Sequence, residues 1–282
     1  MTDVSTMTAQ TTTQSAVSDA LLTRRDGAVL VLSNNNVTAR NALTIDFYLG
    51  VKAALQAAAA DPTVGAVVLT GEGGHFCAGG DLRQLIKRRE LPVSERRERL
   101  EGLHDLIRSV RDCPKPVIAA VEGAAAGAGL SLALACDMLV AARNAVFSVA
   151  YVKVGLTPDG GATAFLAEFV SRQVLTELCL TGERISGERL HALGPVNRLA
   201  EPGQALNEAL ALAQQVADGP AQAMARIKDL CRHAHRDGLE AQLEREAGHM
   251  VLVQESTESL EGIGAFLDKR PADYVKLRQQ PL

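Results

Sequence analysis

At 282 residues, 47% of them hydrophobic, the chain is long enough to bury a sizeable core as one large domain or one domain with a small appendage. Its net charge of −4, with both signs mixed along the chain, gives no electrostatic footprint for nucleic acid or an anionic membrane. The five cysteines (Cys77, Cys113, Cys136, Cys179, Cys231) form no CxxC pair and leave an odd count, which predicts reduced thiols in a cytoplasmic protein and neither a disulfide framework nor a zinc site.

Residues 1–20 are rich in Thr, Ser and Gln and contain no Lys or Arg, so they predict a disordered arm and match neither a secretory signal nor an Arg-rich transit segment. Residues 21–32 predict two short strands around an Arg25-Asp26-Gly27 turn. Asn41-Ala42-Leu43-Thr44 leads into a helix over 45–60, which Asp61-Pro62 stops. The β-branched run 64–70 predicts a buried strand ending at Gly71-Glu72-Gly73-Gly74. A charged helix over 95–111, a Cys113-Pro114-Lys115-Pro116 break and a strand over 117–121 follow, then a second glycine turn and a helix through Ala135. The apolar stretch 117–142 is broken by Glu122 and Asp137, leaving less than the roughly 18 charge-free residues of a membrane span. A strand pair at 138–142 and 146–149 precedes the loop 154–161, which opens a helix over 162–170. From 204 onward the pattern is helical, over 204–217, 220–236, 239–253 and 256–267. We therefore divide the chain into an arm (1–20), an α/β core (21–203) and a helical C-terminal domain (204–282). In the last, the stripe Leu243, Ala247, Met250 and Val251, set against Glu244 and Arg245, is expected at least to form that domain's core.

Two glycine/alanine-rich turns carry most of the functional signal: Phe76-Cys77-Ala78-Gly79-Gly80-Asp81-Leu82 and Gly123-Ala124-Ala125-Ala126-Gly127-Ala128-Gly129-Leu130-Ser131. Each follows an apolar strand and opens a helix. Their small side chains leave the backbone N–H groups as the chemistry on offer, close enough to meet a developing negative charge as an oxyanion hole does. A nucleotide-binding reading fails, because neither Gly-x-x-x-x-Gly-Lys-Ser/Thr nor Gly-x-Gly-x-x-Gly is present in them.

Taken with Arg40-Asn41-Ala42-Leu43, Pro116-Val117-Ile118-Ala119-Ala120-Val121-Glu122-Gly123, Leu134-Ala135-Cys136-Asp137, Gly155-Leu156-Thr157-Pro158-Asp159-Gly160-Gly161 and Phe266-Leu267-Asp268-Lys269-Arg270, the first of these turns resembles the enoyl-CoA hydratase/isomerase (crotonase) superfamily over residues 20–274. The resemblance implies an α/β fold, a ClpP-like crotonase spiral of repeated ββα units with an all-helical C-terminal trimerisation region. It also implies an acyl-CoA thioester substrate, a homotrimer or a hexamer made as a dimer of trimers, and no cofactor beyond the coenzyme A of the substrate. Residue by residue, it assigns the two oxyanion amides to Gly80 and Ala128, and it brings Ala78 and Asp81 to the substrate channel. Asp81 also reads as the cap of a helix running through Leu85. Arg40 and Lys269 fall where the adenosine end of CoA would lie, although each also reads as a solvated surface charge.

Hydratases of this family carry two glutamates at positions held here by Ser131 and Tyr151. Adding water across a double bond takes one group to activate the water and one to protonate carbon, and neither of these side chains titrates near working pH. Ser131 and Tyr151 are therefore read as substrate-binding. Asp159 is the acidic residue left, and the stretch 151–161 looks most like the phenylacetate-degradation branch, whose members isomerise epoxyphenylacetyl-CoA or act on the oxepin-CoA product. Asp159 reads as the acid/base of an isomerase or ring-altering lyase, or else as an N-cap for the helix that follows. Enoyl-CoA hydration with a bound water and a non-catalytic thioester-binding role are the alternatives. Asp137 reads as a structural hydrogen-bonding group, His75 as facing either the acyl pocket or solvent, and Tyr151, Phe165 and the residues between Leu85 and Leu100 as shaping the pocket, with 87–92 as a mobile loop.

Overall fold

A computed structural model describes residues 19–279, so all but the last two residues of the arm expected at 1–20 lie outside the described residues. Strands β1 (Leu21–Asp26) and β2 (Val29–Asn34) form an antiparallel hairpin. The turn is Gly27-Ala28, with Gly27 at φ +56, so Arg25 and Asp26 belong to the strand and not to the turn expected there. Strands β3 (Ala66–Gly71), β4 (Val117–Val121), β6 (Met138–Ala142) and β9 (Arg198–Ala200) extend this sheet in parallel, in the order β1-β2-β3-β4-β6-β9. A second sheet joins β5 (Ala124–Ala126), β7 (Val146–Ser148) and β8 (Ile185–Ser186). The strand pair expected from 138–149 is not one: β6 and β7 are consecutive but lie in different sheets, β7 lying parallel to β5.

The helices are α1 (Ile45–Ala60), α2 (Leu82–Arg88), α3 (Val93–Asp112), α4 (Ala128–Ala135), α5 (Ala162–Ala167), α6 (Arg172–Thr181), α7 (Gly187–Ala192), α8 (Ala205–Ala217), α9 (Ala221–His233), α10 (Leu239–Gln254), α11 (Thr257–Leu267) and α12 (Tyr274–Gln279). Local chemistry sets several of their ends. Thr44 Oγ1 accepts from Phe47 N and Ser256 Oγ from Ser259 N, each cap contributing about 1 kcal/mol. The segment 87–92, read as a loop, begins as the last turn of α2.

The large sheet is apolar without alternation because both of its faces are covered. Val67, Leu69, Val117, Ala119, Val121 and Leu139 point into one cluster, shared with Phe47 of α1, Leu106 of α3 and Leu132 of α4. The intervening Val68, Ile118, Ala120 and Val140 point into the other, with Ala209, Leu212 and Ala213 of α8. The first helix of the 204–282 segment thus completes the second face of the core. The later helices differ. Leu243, Met250 and Val251 of α10 are exposed, so the stripe expected to be core is uncovered in the single chain. This is an α/β architecture with a helical C-terminal region, in agreement with the fold class expected from the sequence. Among the described residues no helix is long and apolar enough to cross a membrane.

Candidate active site

The first glycine turn is held from two sides. Arg40 O accepts from Ala78 N at 3.0 Å and Gly79 O from Leu43 N at 2.8 Å, while Cys77 N donates to Ala124 O and Cys77 O accepts from Ala126 N on the second turn. Leu43 and Gly80 form a parallel bridge. The Gly79 carbonyl faces Leu43 in that bridge, so the Gly80 N–H points to the opposite side. On the second turn Gly127 N donates to Ser148 O, and Ala128 then opens α4, where an N–H has no intrahelical partner.

Glycine is required where the turns touch. Gly79 has φ +97, and a Cβ there would stand 2.6 Å from Ala126 O and 3.6 Å from Ala128 N. At Gly129 a Cβ would stand 2.3 Å from Cys77 O. The amides of Gly80 and Ala128 consequently stand at the junction of the two turns. Cys77 is packed into this junction and burial pushes its thiol up to about 12, so it is no nucleophile at neutral pH.

One turn into α4, Ser131 meets Tyr151 and Asp159. Tyr151 OH donates to Asp159 Oδ1 at 2.7 Å, and Ser131 Oγ donates to Asp159 O at 2.9 Å while lying 3.3 Å from Tyr151 OH. Tyr151 comes from the short 3-10 turn Ala150–Val154, and a Cβ on Gly127 would lie 3.8 Å from its ring. The capping reading of Asp159 does not hold: the N-cap of α5 is Gly161, and only the main-chain oxygen of Asp159 accepts from Ala162 N. Its carboxylate is turned to Tyr151 instead.

Burial pushes the Asp159 carboxyl above the usual carboxylate range, against the hydrogen bond from Tyr151 and the electrostatic influence of the His104 and Arg88 side chains. The Tyr151 phenol is also pushed up, by burial first and then by the Asp159 charge. Tyr151 therefore stays a hydrogen-bond donor to the Asp159 carboxylate. Tyr48 of α1 is in the same neighbourhood, its phenol raised by burial and sensitive to Arg88, Cys77 and Asp159.

The other candidates divide. Asp81 Oδ1 accepts from Arg83 N at 2.9 Å and caps α2, as expected. Arg40 ends a 3-10 turn at φ 51 with its side chain exposed, next to the first glycine turn through its carbonyl. Lys269, exposed at φ 55, follows α11, which packs on α10 and α12. Among the described residues no hydrogen bond or ion pair ties it to the two turns. His75 Nδ1 accepts from Ala124 N at 3.3 Å, which makes it a clamp between the turns. Asp137 Oδ2 accepts from Val117 N at 2.8 Å and pairs with Lys228 Nζ at 2.6 Å, the structural role expected. A cavity of about 140 Å³ lined by Cys136, Asp137, Phe169 and Asn197 lies at the far end of α4, away from the turns. Among the described residues no group of three or more His, Cys, Asp or Glu side chains is placed to hold a metal ion. Sequence reasoning missed Tyr48 and His104, and took Arg88 only as one residue of the segment shaping the pocket. Tyrosine is scarce here, three in 282 residues, and that scarcity was the available signal for Tyr48.

The family model for enoyl-CoA hydratase/isomerase matches residues 24–277, and the chain belongs to that family. A Thermus thermophilus protein provisionally named an enoyl-CoA hydratase is 38% identical over 248 residues, covering 88% of this chain and 98% of the relative. The 1,2-epoxyphenylacetyl-CoA isomerase of Escherichia coli is 32% identical over 256 residues, covering 90% and 98%. The crystal structure of an enoyl-CoA hydratase from Polaromonas sp. JS666 superposes with a TM-score of 0.87 at 47% identity, covering 90% of this chain and 98% of that one.

Proposed function

We propose that the chain is an acyl-CoA isomerase or ring-altering lyase acting on phenylacetate-type CoA esters. The amides of Gly80 and Ala128 hold the thioester oxygen as it gains charge, helped by the N-terminal dipole of α4, and Asp159 moves a proton between neighbouring carbons. Arg40, Ala78, Asp81, Ser131, Tyr151 and Lys269 contact the substrate or border its channel. The observation that carries this reading is the pairing of Asp159 Oδ1 with Tyr151 OH: a single carboxylate stands where hydration needs two titrating groups. No cofactor is needed, since the coenzyme A belongs to the substrate.

The test is a panel of CoA esters, crotonyl-CoA and phenylacetate-derived esters among them, incubated in D2O and followed by mass and ultraviolet absorbance. The expected result is deuterium uptake or double-bond migration without gain of water. Hydration of crotonyl-CoA with kcat/KM above about 10⁶ M⁻¹s⁻¹ would overturn it. That outcome would favour the second reading, a hydratase in which Asp159 works with a bound water, a reading supported by the name of the Thermus relative. If no ester turns over, a non-catalytic thioester-binding role is left.

We also propose that the protein works as a homotrimer or as a dimer of trimers. Met250, Val251, Leu260, Ile263, Phe266 and Leu267 are exposed on α10 and α11, Phe266 to 83%, and packing between subunits would remove them from water. Light scattering at micromolar concentration is expected to give three or six times the chain mass of 29.8 kDa, and a monomer would remove the proposal.

A further inference from the structure

Along α2 every residue is exposed except Leu85 and Arg88, which are half-buried. Three positions apart, they lie on one face of the helix. Leu85 marks where that face points: its Cδ1 would be 3.5 Å from a Cβ built on Gly80, at the edge of the first glycine turn. Arg88 follows on the same side, and its charge is felt at both Tyr48 and Asp159, the two side chains that flank the candidate site from α1 and from the 154–161 loop.

Arg88 shares the lack of an acceptor with the exposed Arg83, Lys87 and Arg89, and differs from them in being half-buried. On α3, Arg97 and Arg108 are occupied by Glu101 and Asp105, at 2.8 to 3.2 Å. Among the described residues the Arg88 side chain donates no hydrogen bond and joins no ion pair. The nearby Asp159 carboxylate is committed to Tyr151. A half-buried guanidinium has five N–H donors in a planar fork, a geometry matched to a carboxylate and costly to leave unmet.

We infer that Arg88 binds a carboxylate at the distal end of the acyl chain, so that the preferred substrates are CoA monothioesters of dicarboxylic acids. The assignment rests on the acyl-CoA part of the reading above and departs from its ester class, because a phenylacetyl group carries no distal carboxylate. It requires the thioester end at the glycine turns and the chain running past Asp159 towards the end of α2, the direction in which Leu85 and Arg88 succeed one another.

Binding of saturated analogues separates this contact from the chemistry, because nothing has to react. Calorimetry would compare succinyl-, glutaryl- and adipyl-CoA with butyryl-, valeryl- and hexanoyl-CoA, on the parent protein and on Arg88→Ala and Arg88→Lys. The parent is expected to prefer the dicarboxylic member of at least one pair by about tenfold, equal to about 1.4 kcal/mol. In Arg88→Ala that ratio should fall to about one, and Arg88→Lys should restore part of it as a point charge without the fork. Equal affinity within every pair in the parent overturns the inference and leaves the acyl-CoA reading intact. A loss in Arg88→Ala that is the same for both members of each pair, and for free CoA, also overturns it, by assigning Arg88 to the CoA phosphates. If no thioester binds to a folded parent, the acyl-CoA reading itself fails and takes this inference with it.

Discussion

Asp159→Asn is expected to lower turnover by about 10²- to 10⁴-fold while leaving the melting temperature equal to or above that of the parent. The two halves of this expectation come from the same environment. Burial raises the Asp159 carboxyl in the folded chain, so its favourable contribution to stability is present below the unfolded pKa and is lost as pH rises through the folded pKa. Once ionised, the carboxylate is held in a place where burial disfavours its charge. Asparagine removes that charge and still presents an Oδ1 to the Tyr151 hydroxyl.

In the parent, a proton-accepting Asp159 places the acid limb of kcat/KM above the ordinary carboxylate range. Tyr151→Phe should move that limb higher still, because the phenol hydrogen bond is the largest influence lowering the carboxyl. Steady-state kinetics between pH 4 and pH 9, beside thermal melts, would check both. A parent-like kcat in Asp159→Asn would end the acid/base assignment, and a fall in its melting temperature would contradict the electrostatic account.

Gly79→Ala is expected to cost about 10²- to 10³-fold in kcat, the loss that follows removal of one oxyanion donor. It is also expected to destabilise the fold by about 1–3 kcal/mol. Alanine meets two obstacles here. The backbone sits at φ +97, which L side chains rarely adopt, and the new Cβ would press to 2.6 Å on the Ala126 carbonyl. Relief comes from parting the two turns, which carries the Gly80 amide away from that of Ala128. The kinetic split is informative: a pocket lesion would raise KM, whereas a misplaced donor lowers kcat in a protein that still binds CoA esters. A variant that stays folded with parental kcat would show that the two amides do not act together on one oxygen.

Much of the fold is written locally. The strand at 117–121 and the helices at 45–60 and through Ala135 coincide with β4, α1 and the end of α4, because apolar period, Thr44 as cap and Asp61-Pro62 as stop are properties of short segments. Asp81 as a cap and Asp137 as a structural acceptor were legible for the same reason. Arg88 was not, since a Lys-Arg-Arg run before Leu91-Pro92 looks solvated in sequence, and only the face of α2 tells Arg88 from its neighbours. Asp159 was legible as a candidate but not in its role. Capping and acid/base work call for the same residue before Gly160-Gly161, and the choice between them depends on where χ1 turns the carboxylate.

By itself the sequence determined most of the strands and helices up to residue 170 and from 204 to 267, the two glycine turns and the family they resemble, since each depends on neighbours a few positions apart; β5 and the elements between 171 and 203 were not legible in it. The tertiary structure alone decided that β7 leaves β6 to pair with β5, that α8 covers the second face of the sheet, and that Ser131, Tyr151 and Asp159 converge. Strand partners and hydrogen bonds between residues 20 and 28 positions apart depend on how the chain closes its core. Burial is likewise conferred by the assembled layers, and it is burial that raises the Asp159 carboxyl above the usual carboxylate range.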